Sequence, residues 1–306
     1  MLHMRIGIYY FSGTGNTAYV AKKIASSFWN QGAEVTLYPI GSKEEIPDPS
    51  SFDALGFGYP IHAFNAPETM IRFVKGLPAP SSSKRAFIFK VSGEPYSPNK
   101  ASSHLLSSIL KKKGIEVSYE RHFLMPYNIL FRYPDEVVKE MLLSVEPYAA
   151  LLVDSFLSGK ENPPSFPPDK VAFSFLLRIE WLAPKVNRPF FRVKEKRCIR
   201  CGLCVNHCPQ HALRMDEEGK IHMGKGCALC MNCADHCPKD AIRFGIFNGW
   251  KVSPFYDYPK IMGDPSIASD TIRKGRKDYY RHFRKYYQKE DELTQKMEFG
   301  PRKEKP

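Results

Sequence analysis

The sequence has no long apolar run. No segment approaches about 20 consecutive apolar residues, the length that crosses a bilayer as a helix. The best candidate, residues 171–183, is too short and contains Arg178 and Glu180. The first ten residues predict a strand with one arginine and not a signal peptide. We therefore expect a cytoplasmic protein without a transmembrane span.

Acidic residues are scarce relative to basic ones. The chain of 306 residues has 32 Asp and Glu against 45 Lys and Arg, a formal net charge of +13. A surplus of this size implies partners with acidic surfaces, an acidic membrane face or nucleic acid. Nucleic acid is not expected, because no recognised nucleic-acid-binding module accompanies the charge.

A glycine- and hydroxyl-rich turn follows the first predicted strand, residues 5–11, and precedes an amphipathic helix that ends near Asn30. Such a turn at a helix N-terminus forms an anion site, because unpaired backbone N–H groups and the helix dipole point at the ligand. The candidate anion-binding residues are Ser12, Gly13, Thr14, Gly15, Asn16 and Thr17.

The turn lacks residues that two common phosphate-binding motifs require. A Walker loop is excluded, because no Gly-Lys-Ser/Thr follows the turn. A nicotinamide-binding turn fits Gly13-x-Gly15-x-x-Ala18, but it requires an acidic residue about 20 positions further on. The second predicted strand, residues 34–38, continues into Pro39 without that acid. The neutral hydroxyl and amide donors of the turn suit a terminal phosphate.

Strands and helices alternate through the first half of the chain, which predicts a parallel sheet with ligands at its carboxyl edge. Further strands are predicted at 54–59, 85–91 and 115–123, and helices at 68–76, 99–113 and 135–158. The turn at 12–17 closely resembles the FMN signature of the flavodoxins. This resemblance implies an α/β fold, a flavodoxin-like doubly wound five-stranded parallel sheet. It places the FMN-ring loops at Pro60, Ile61, His62, Ala63, Phe64 and Asn65, and at Ser92, Gly93 and Glu94.

Cysteine is absent from the chain except between residues 198 and 237, where eight cysteines form two copies of one pattern. The copies are Cys198-x-x-Cys201-x-x-Cys204-x-x-x-Cys208-Pro209 and Cys227-x-x-Cys230-x-x-Cys233-x-x-x-Cys237-Pro238. Three closely spaced thiolates and a fourth before proline favour iron–sulfur clusters over zinc, whose ribbons use paired CxxC units with longer gaps. Disulfides are disfavoured in a chain without a secretory segment.

This cysteine segment closely resembles the bacterial 2[4Fe–4S] ferredoxins, which have a small α+β fold. The resemblance implies crossed ligation, in which the cysteine before each proline binds the other motif's cluster. The first [4Fe–4S] cluster is then held by Cys198, Cys201, Cys204 and Cys237. The second is held by Cys227, Cys230, Cys233 and Cys208.

Composition divides the chain into four parts. Residues 1–160 form the predicted flavodoxin-like domain, and residues 191–246 form the predicted ferredoxin domain. Between them, residues 161–190 contain a proline-rich linker, extended and semi-rigid, and a short apolar helix. That helix is expected to pack between the domains and to bury Phe173, Leu176, Leu177 and Trp181.

Residues 247–306 form a basic, aromatic C-terminal tail that matches neither module. Tyr279, Phe283 and Tyr286 share one helical face, which is expected to pack on the protein's own domains. Docking to an acidic redox partner and peripheral contact with a membrane remain alternatives for this helix. Residues 300–306 are expected to be disordered.

Taken together, the chain resembles the flavodoxin–ferredoxin fusion proteins of anaerobes. This resemblance implies an electron-transfer protein in which two clusters exchange single electrons with FMN and with acidic redox partner proteins. No catalytic residue is identified. One alternative is a flavin-dependent reductase of a small molecule, with its pocket closed by residues 125–133 or by the tail. Another is a ferredoxin with a flavin-free docking domain.

Overall fold

The first half of the chain folds around a five-stranded parallel sheet. A computed structural model describes residues 4–41, 45–275 and 277–299. The strand order is β2-β1-β3-β4-β5, the flavodoxin-like order, whose ligand site lies at the switch point between β1 and β3. The strands are β1 (Arg5–Tyr10), β2 (Glu34–Pro39), β3 (Ala54–Pro60), β4 (Lys84–Ser92) and β5 (Ile115–Leu124). The predicted fold class is confirmed.

Helices cover both faces of this sheet. On one face lie α1 (Asn16–Asn30) and α4 (Asp135–Leu157), and on the other lie α2 (Glu68–Gly76) and α3 (His104–Lys112). The predicted helix 99–113 is shorter in the structure, because residues 97–103 form a 3₁₀ helix. There the buried ammonium of Lys90 binds the carbonyls of Asn99 and Lys100, which an α-helix would use in its own ladder.

The cysteine repeat folds into a small α+β unit, as the ferredoxin resemblance implies. Its short helices α7 (Leu203–Asn206) and α8 (Asn232–Asp235) occupy equivalent positions in the two copies. Two antiparallel ladders flank them, β6 (Arg192–Val193) with β9 (Ile242–Arg243) and β7 (Leu213–Met215) with β8 (Ile221–Met223). Side chains of these strands and of the residues next to them share one core, which includes Phe191, Leu213, Ile221, Ile242 and Phe244.

The prediction that the apolar side chains of the helical linker are buried is wrong. The linker consists of α5 (Pro168–Leu177), a 3₁₀ helix at 178–182, α6 (Ala183–Asn187) and a further 3₁₀ turn at 188–190. Phe173 and Leu176 are exposed, Leu177 and Trp181 are only partly buried, and Ser174 is the buried residue of α5. The orientation follows from hydrogen bonds between Ser174 and buried Asn65, which turn the polar side of α5 inward.

The C-terminal tail packs on the flavodoxin-like domain, as expected. Its helices α9 (Tyr258–Gly263), α10 (Thr271–Lys274) and α11 (Arg281–Phe299) all contact α4. The buried face is shifted from the predicted one: Tyr280, Phe283 and Tyr287 are buried, whereas Tyr279 is exposed. The shift arises because Tyr279 lies in a separate 3₁₀ turn that precedes α11.

No helix in the described part of the chain is long and apolar enough to cross a membrane. The expectation of disorder for residues 300–306 lies outside the described residues.

Candidate functional site

The turn at 12–17 has the geometry of an anion-binding loop. Gly15 adopts φ 100°, a left-handed conformation that favours glycine, and α1 begins immediately after it. The Ser12 hydroxyl accepts a hydrogen bond from the amide of Ala18 at 3.2 Å and so fixes the turn on the helix. The hydroxyl of Thr17 is buried and has no hydrogen-bond partner among the described residues. An orphaned donor beside first-turn amides is suited to an anionic ligand.

The side chains of Asn16 and Thr14 bind other parts of the chain, and the Asn16 amide is not a free donor, in contrast to the expectation for this loop. The Asn16 amide donates to the carbonyl of Pro126 at 2.7 Å and accepts from the Tyr258 hydroxyl. The Thr14 hydroxyl accepts from the side chain of Asn128. These side chains therefore connect the turn to the segment after β5 and to the tail. The backbone amides and the hydroxyls of the turn, above all that of Thr17, remain available as donors to a bound phosphate.

The first predicted ring loop, residues 60–65, closes on itself through paired backbone hydrogen bonds between His62 and Asn65, of 2.9 and 2.8 Å. Phe64 has φ 61°, and its ring packs 5.4 Å from the ring of Phe173 in α5. The side chain of Asn65 donates to the carbonyl of Ala63 within the loop at 3.0 Å and to the carbonyl of Ser174 in α5 at 2.8 Å, and so joins the loop to the linker. Burial lowers the pKa of His62 to about 4, so its imidazole is neutral at pH 7.

The second predicted ring loop, residues 92–94, is held by a buried carboxylate. Glu94 accepts hydrogen bonds from the Tyr279 hydroxyl and from the His282 ring, both at 3.0 Å. Both partners belong to the C-terminal tail, so Glu94 fastens the tail to this loop. Gly93 is required by close packing, because a Cβ atom there would lie 2.7 Å from the ring of Tyr127.

These loops surround one cavity of ≈ 1100 Å³. Every predicted cofactor-binding residue lines it except Gly15 and Asn65. The segment 125–131 after β5 lines it too. Other lining residues were not expected from the sequence, because they come from elements that only the tertiary fold brings here: Arg72, Trp181, Lys185, Arg188, Lys225 and Trp250.

The eight cysteines lie together in the small α+β unit, and none forms a disulfide. Backbone amides at matching positions of the two copies point at sulfur: Ala212 N–H donates to Cys208 Sγ, and Ala241 N–H to Cys237 Sγ, each at 3.2 Å. Burial raises the pKa of Cys230 to about 12, so its free thiol is protonated at pH 7. Across the described residues, no three His, Cys, Asp or Glu side chains converge as a site for a single metal ion.

The second cysteine motif packs directly against the turn at 12–17. A Cβ atom at Gly13 would lie only 2.4 Å from Cys230 Cβ and 3.3 Å from its Sγ, so only glycine fits this contact. Cys227 and Cys230 both line the cavity described above.

A second contact fastens the two units near the first cysteine motif. The ring of His211 lies at hydrogen-bond distance, 2.7 Å, from the carbonyl of Gly41. The Thr69 hydroxyl donates to Gln210 at 3.1 Å. The candidate cofactor loops and one cysteine motif therefore form a single site.

Comparisons with known proteins separate the same two parts. A flavodoxin-domain model matches residues 7–122, and a 4Fe-4S dicluster-domain model matches residues 190–242. A short-chain flavodoxin associated with a non-canonical PDU bacterial microcompartment is 19% identical, with a TM-score of 0.37 over 50% of this chain and 98% of that chain. Flavodoxin 1 from Bacillus cereus is 17% identical, with a TM-score of 0.32 over 46% of this chain and 94% of that chain.

A search of curated proteins finds no match to the chain. The two family matches lie in the order that the sequence predicts, and the first covers three of the five strands of the parallel sheet completely and most of the other two. The chain thus carries a flavodoxin domain followed by a 4Fe–4S dicluster domain and matches a flavodoxin–ferredoxin fusion.

Proposed function

We propose that this chain is an electron-transfer protein that passes single electrons between two [4Fe–4S] clusters and a bound FMN. The flavodoxin and 4Fe–4S domains support an electron-transfer role. Transfer between the clusters and FMN within this chain is supported by the contact between Gly13 and Cys230. This contact joins the turn at 12–17 of one domain to a cysteine motif of the other. Electron transfer requires that the flavin and a cluster lie close together, and this contact brings the two proposed sites next to each other.

The residues around the cavity fit FMN. Thr17 Oγ1 and Asn128 Oδ1 are buried in its wall without hydrogen-bond partners in the described structure, one able to donate and the other to accept. In the proposal, the backbone of residues 12–17 and the Thr17 hydroxyl bind the phosphate. The loops at 60–65 and 92–94 flank the ring. When bound, the flavin would supply two-electron storage with release in single steps.

The cysteine motifs fit cubane clusters with crossed ligation. Amides that point at Cys208 and Cys237 stabilise negative sulfur, which is one of the ways a protein tunes cluster potential. In this arrangement the site with Cys227, Cys230, Cys233 and Cys208 lies beside the flavin pocket. The site with Cys198, Cys201, Cys204 and Cys237 is the more remote one, and Cys201 is exposed.

The remote site is the proposed point of contact with a redox partner. Lys196, Arg197 and Arg200 are exposed beside Cys198 and Cys201. Cations in this position favour an acidic docking face on the partner and accelerate its association at low salt. Electrons would then pass between the partner and the flavin through the two cysteine sites in sequence.

A flavin-dependent reductase of a small molecule is the second candidate function. The cavity extends beyond the three predicted cofactor loops to Trp181, Lys185 and Arg188. This additional wall would give a small substrate room beside the ring, with cations that suit an anionic group. No side chain in the described part of the cavity is assigned as its catalytic acid.

The deciding experiment measures FMN, iron and sulfide in protein purified without oxygen, followed by reductive titration. The proposal expects one FMN and about eight irons per chain, the composition of two cubanes. Full iron without flavin, and no uptake of added FMN, would contradict the relay and favour a docking role for the flavodoxin domain. If a small molecule rather than a redox protein reoxidises the loaded chain, the reductase function is favoured.

A further inference from the structure

The helical linker at residues 168–190 exposes apolar side chains and turns polar side chains toward the protein. Its helical turns follow one another without a break, because the junction residues Leu177, Leu182 and Asn187 keep right-handed helical backbone angles. The side that faces the protein carries polar groups next to the partly buried Leu177 and Trp181. Ser174 and Asn187 are buried, and Arg178 donates to the side chain of Asn65 at 3.2 Å.

The opposite side of this linker is apolar and exposed. Phe175, Leu176 and Ile179 are 68%, 70% and 69% exposed, values that are unusual for residues of this size. The same stripe continues at helical spacing through Leu182, Val186 and Phe190. A contiguous apolar surface of this kind marks an interaction site. No described segment of the chain covers it.

The charge on this face has a single sign. Lys185 and Arg188 are exposed at the edge of this face, where they also line the mouth of the cavity. The linker has two carboxylates: Asp169 pairs with Lys170 at 2.7 Å, and Glu180 is partly buried and lines the cavity. The outward face therefore offers large apolar side chains together with cations and without a competing anion.

We propose that the exposed face of residues 172–190 docks the protein on an anionic lipid surface. The helical segment lies flat, with its apolar side chains in the interfacial region and Lys185 and Arg188 against the headgroups. It does not span the bilayer, in keeping with the absence of a long apolar helix from the described residues. A second copy of the chain is a poorer occupant, because a two-fold contact would bring the same two cations together without a carboxylate to pair them. The proposal rests on this surface alone and not on the cofactors.

The test uses the full chain and two kinds of vesicle, phosphatidylcholine alone and phosphatidylcholine with phosphatidylglycerol. Co-sedimentation is expected with the mixed vesicles. Leu176→Gln with Ile179→Gln should weaken it by about tenfold or more, since two side chains lose their burial in lipid. The matched control is Leu143→Gln, which replaces an exposed leucine of α4 and should leave binding unchanged.

A second pair of variants tests the charges independently. Lys185→Gln with Arg188→Gln should weaken binding to the anionic vesicles by roughly tenfold, because each cation near such a surface contributes. Lys111→Gln with Lys112→Gln removes the same charge from exposed positions of α3 and is the control. All these residues are exposed, and unchanged circular dichroism and iron content verify the fold of each variant.

Three outcomes overturn the proposal. The first is no binding to either vesicle, and the second is binding that falls equally in the docking and control variants, which would reflect net charge alone. The third is a concentration-dependent dimer that Leu176→Gln abolishes, which would make this face an interface between copies.

Discussion

His207 and His236 stack on each other within the cysteine repeat, with ring centroids 4.2 Å apart and planes inclined by 15°. Each histidine directly precedes the last cysteine of its own motif, Cys208 or Cys237. The side chain of Asn232 also donates to the carbonyl of His207, which joins the start of α8 to the end of the first motif. The two copies are therefore interlocked where crossed ligation would require them to meet.

Crossed ligation predicts a specific pattern of loss. Cys208→Ser should remove the cluster of the second motif and reduce iron by about half, while the first cluster persists. Adding Cys230→Ser to Cys208→Ser should then cost no further iron, because both residues serve one cluster. Adding Cys201→Ser should remove the rest. Iron and sulfide analysis with electron paramagnetic resonance measures this, and the opposite pairing of the double variants would show uncrossed ligation.

Thr17→Val should weaken FMN binding by about tenfold or more, because a hydrogen bond to a charged phosphate is lost while the side-chain shape is kept. The apoprotein should be equally or slightly more stable, since the hydroxyl is buried without a partner in the described structure. Fluorescence titration with FMN measures the affinity, and Thr36→Val, at an exposed position of β2, is the control. Equal affinities in the two variants would contradict the assignment of the loop.

The local elements of the fold could be predicted from the sequence. The strands β1, β3 and β4 are largely apolar runs, and α2 begins and ends at the predicted residues after Pro67. Such signals are local, because burial of both sheet faces and the fixed φ of proline act within a few residues. The cysteine repeat is equally local, so its eight candidate ligands could be named at once.

Orientation of the helices was harder to predict, because it depends on partners distant in sequence. The apolar side of α5 was expected inside, but Asn65, over a hundred residues away, draws Ser174 inward instead. Asn16 was expected to be free for a ligand, yet Pro126 and the tail residue Tyr258 bind its amide. Apolar periodicity identifies the apolar face of a helix. It does not reveal a distant polar group that hydrogen-bonds to the opposite face and turns that face inward.

The stability of the protein should fall in mild acid because of His122. Burial and the nearby charge of Lys90 lower the pKa of His122 to about 3, against about 6.5 in an unfolded chain. Between these values the unfolded state binds the additional proton, so stability decreases as the pH falls below about 6.5. From pH 8 to pH 5.5 this one group should cost about 1.4 kcal/mol of the free energy of unfolding.

His122→Gln should flatten that slope, because glutamine does not titrate and can still hydrogen-bond to Ser92. Denaturant unfolding without oxygen at several pH values measures the free energy of unfolding of the wild type and of the variant. If the histidine is the source, the free energy of unfolding of the wild type minus that of His122→Gln should decrease as the pH falls from 8 to 5.5, and curves that remain parallel over this range would contradict it.

Docking of the tail should be needed both for stability and for the shape of the flavin pocket. Phe283 is fully buried between α11 and the flavodoxin domain, so Phe283→Ala should destabilise the protein by about 3–5 kcal/mol. Phe175→Ala is the matched control, because its ring is exposed and its loss should change stability by less than about 0.5 kcal/mol.

Undocking of α11 also removes Tyr279 and His282 from Glu94, the buried carboxylate of the second ring loop. Phe283→Ala should therefore lower FMN affinity at temperatures where the protein remains folded, whereas iron content should not change. Tyr279→Phe separates the two effects, since it removes one hydrogen bond to Glu94 and leaves the packing of Phe283 in place. Normal FMN affinity in Phe283→Ala would show that the tail stabilises the domain without shaping its pocket.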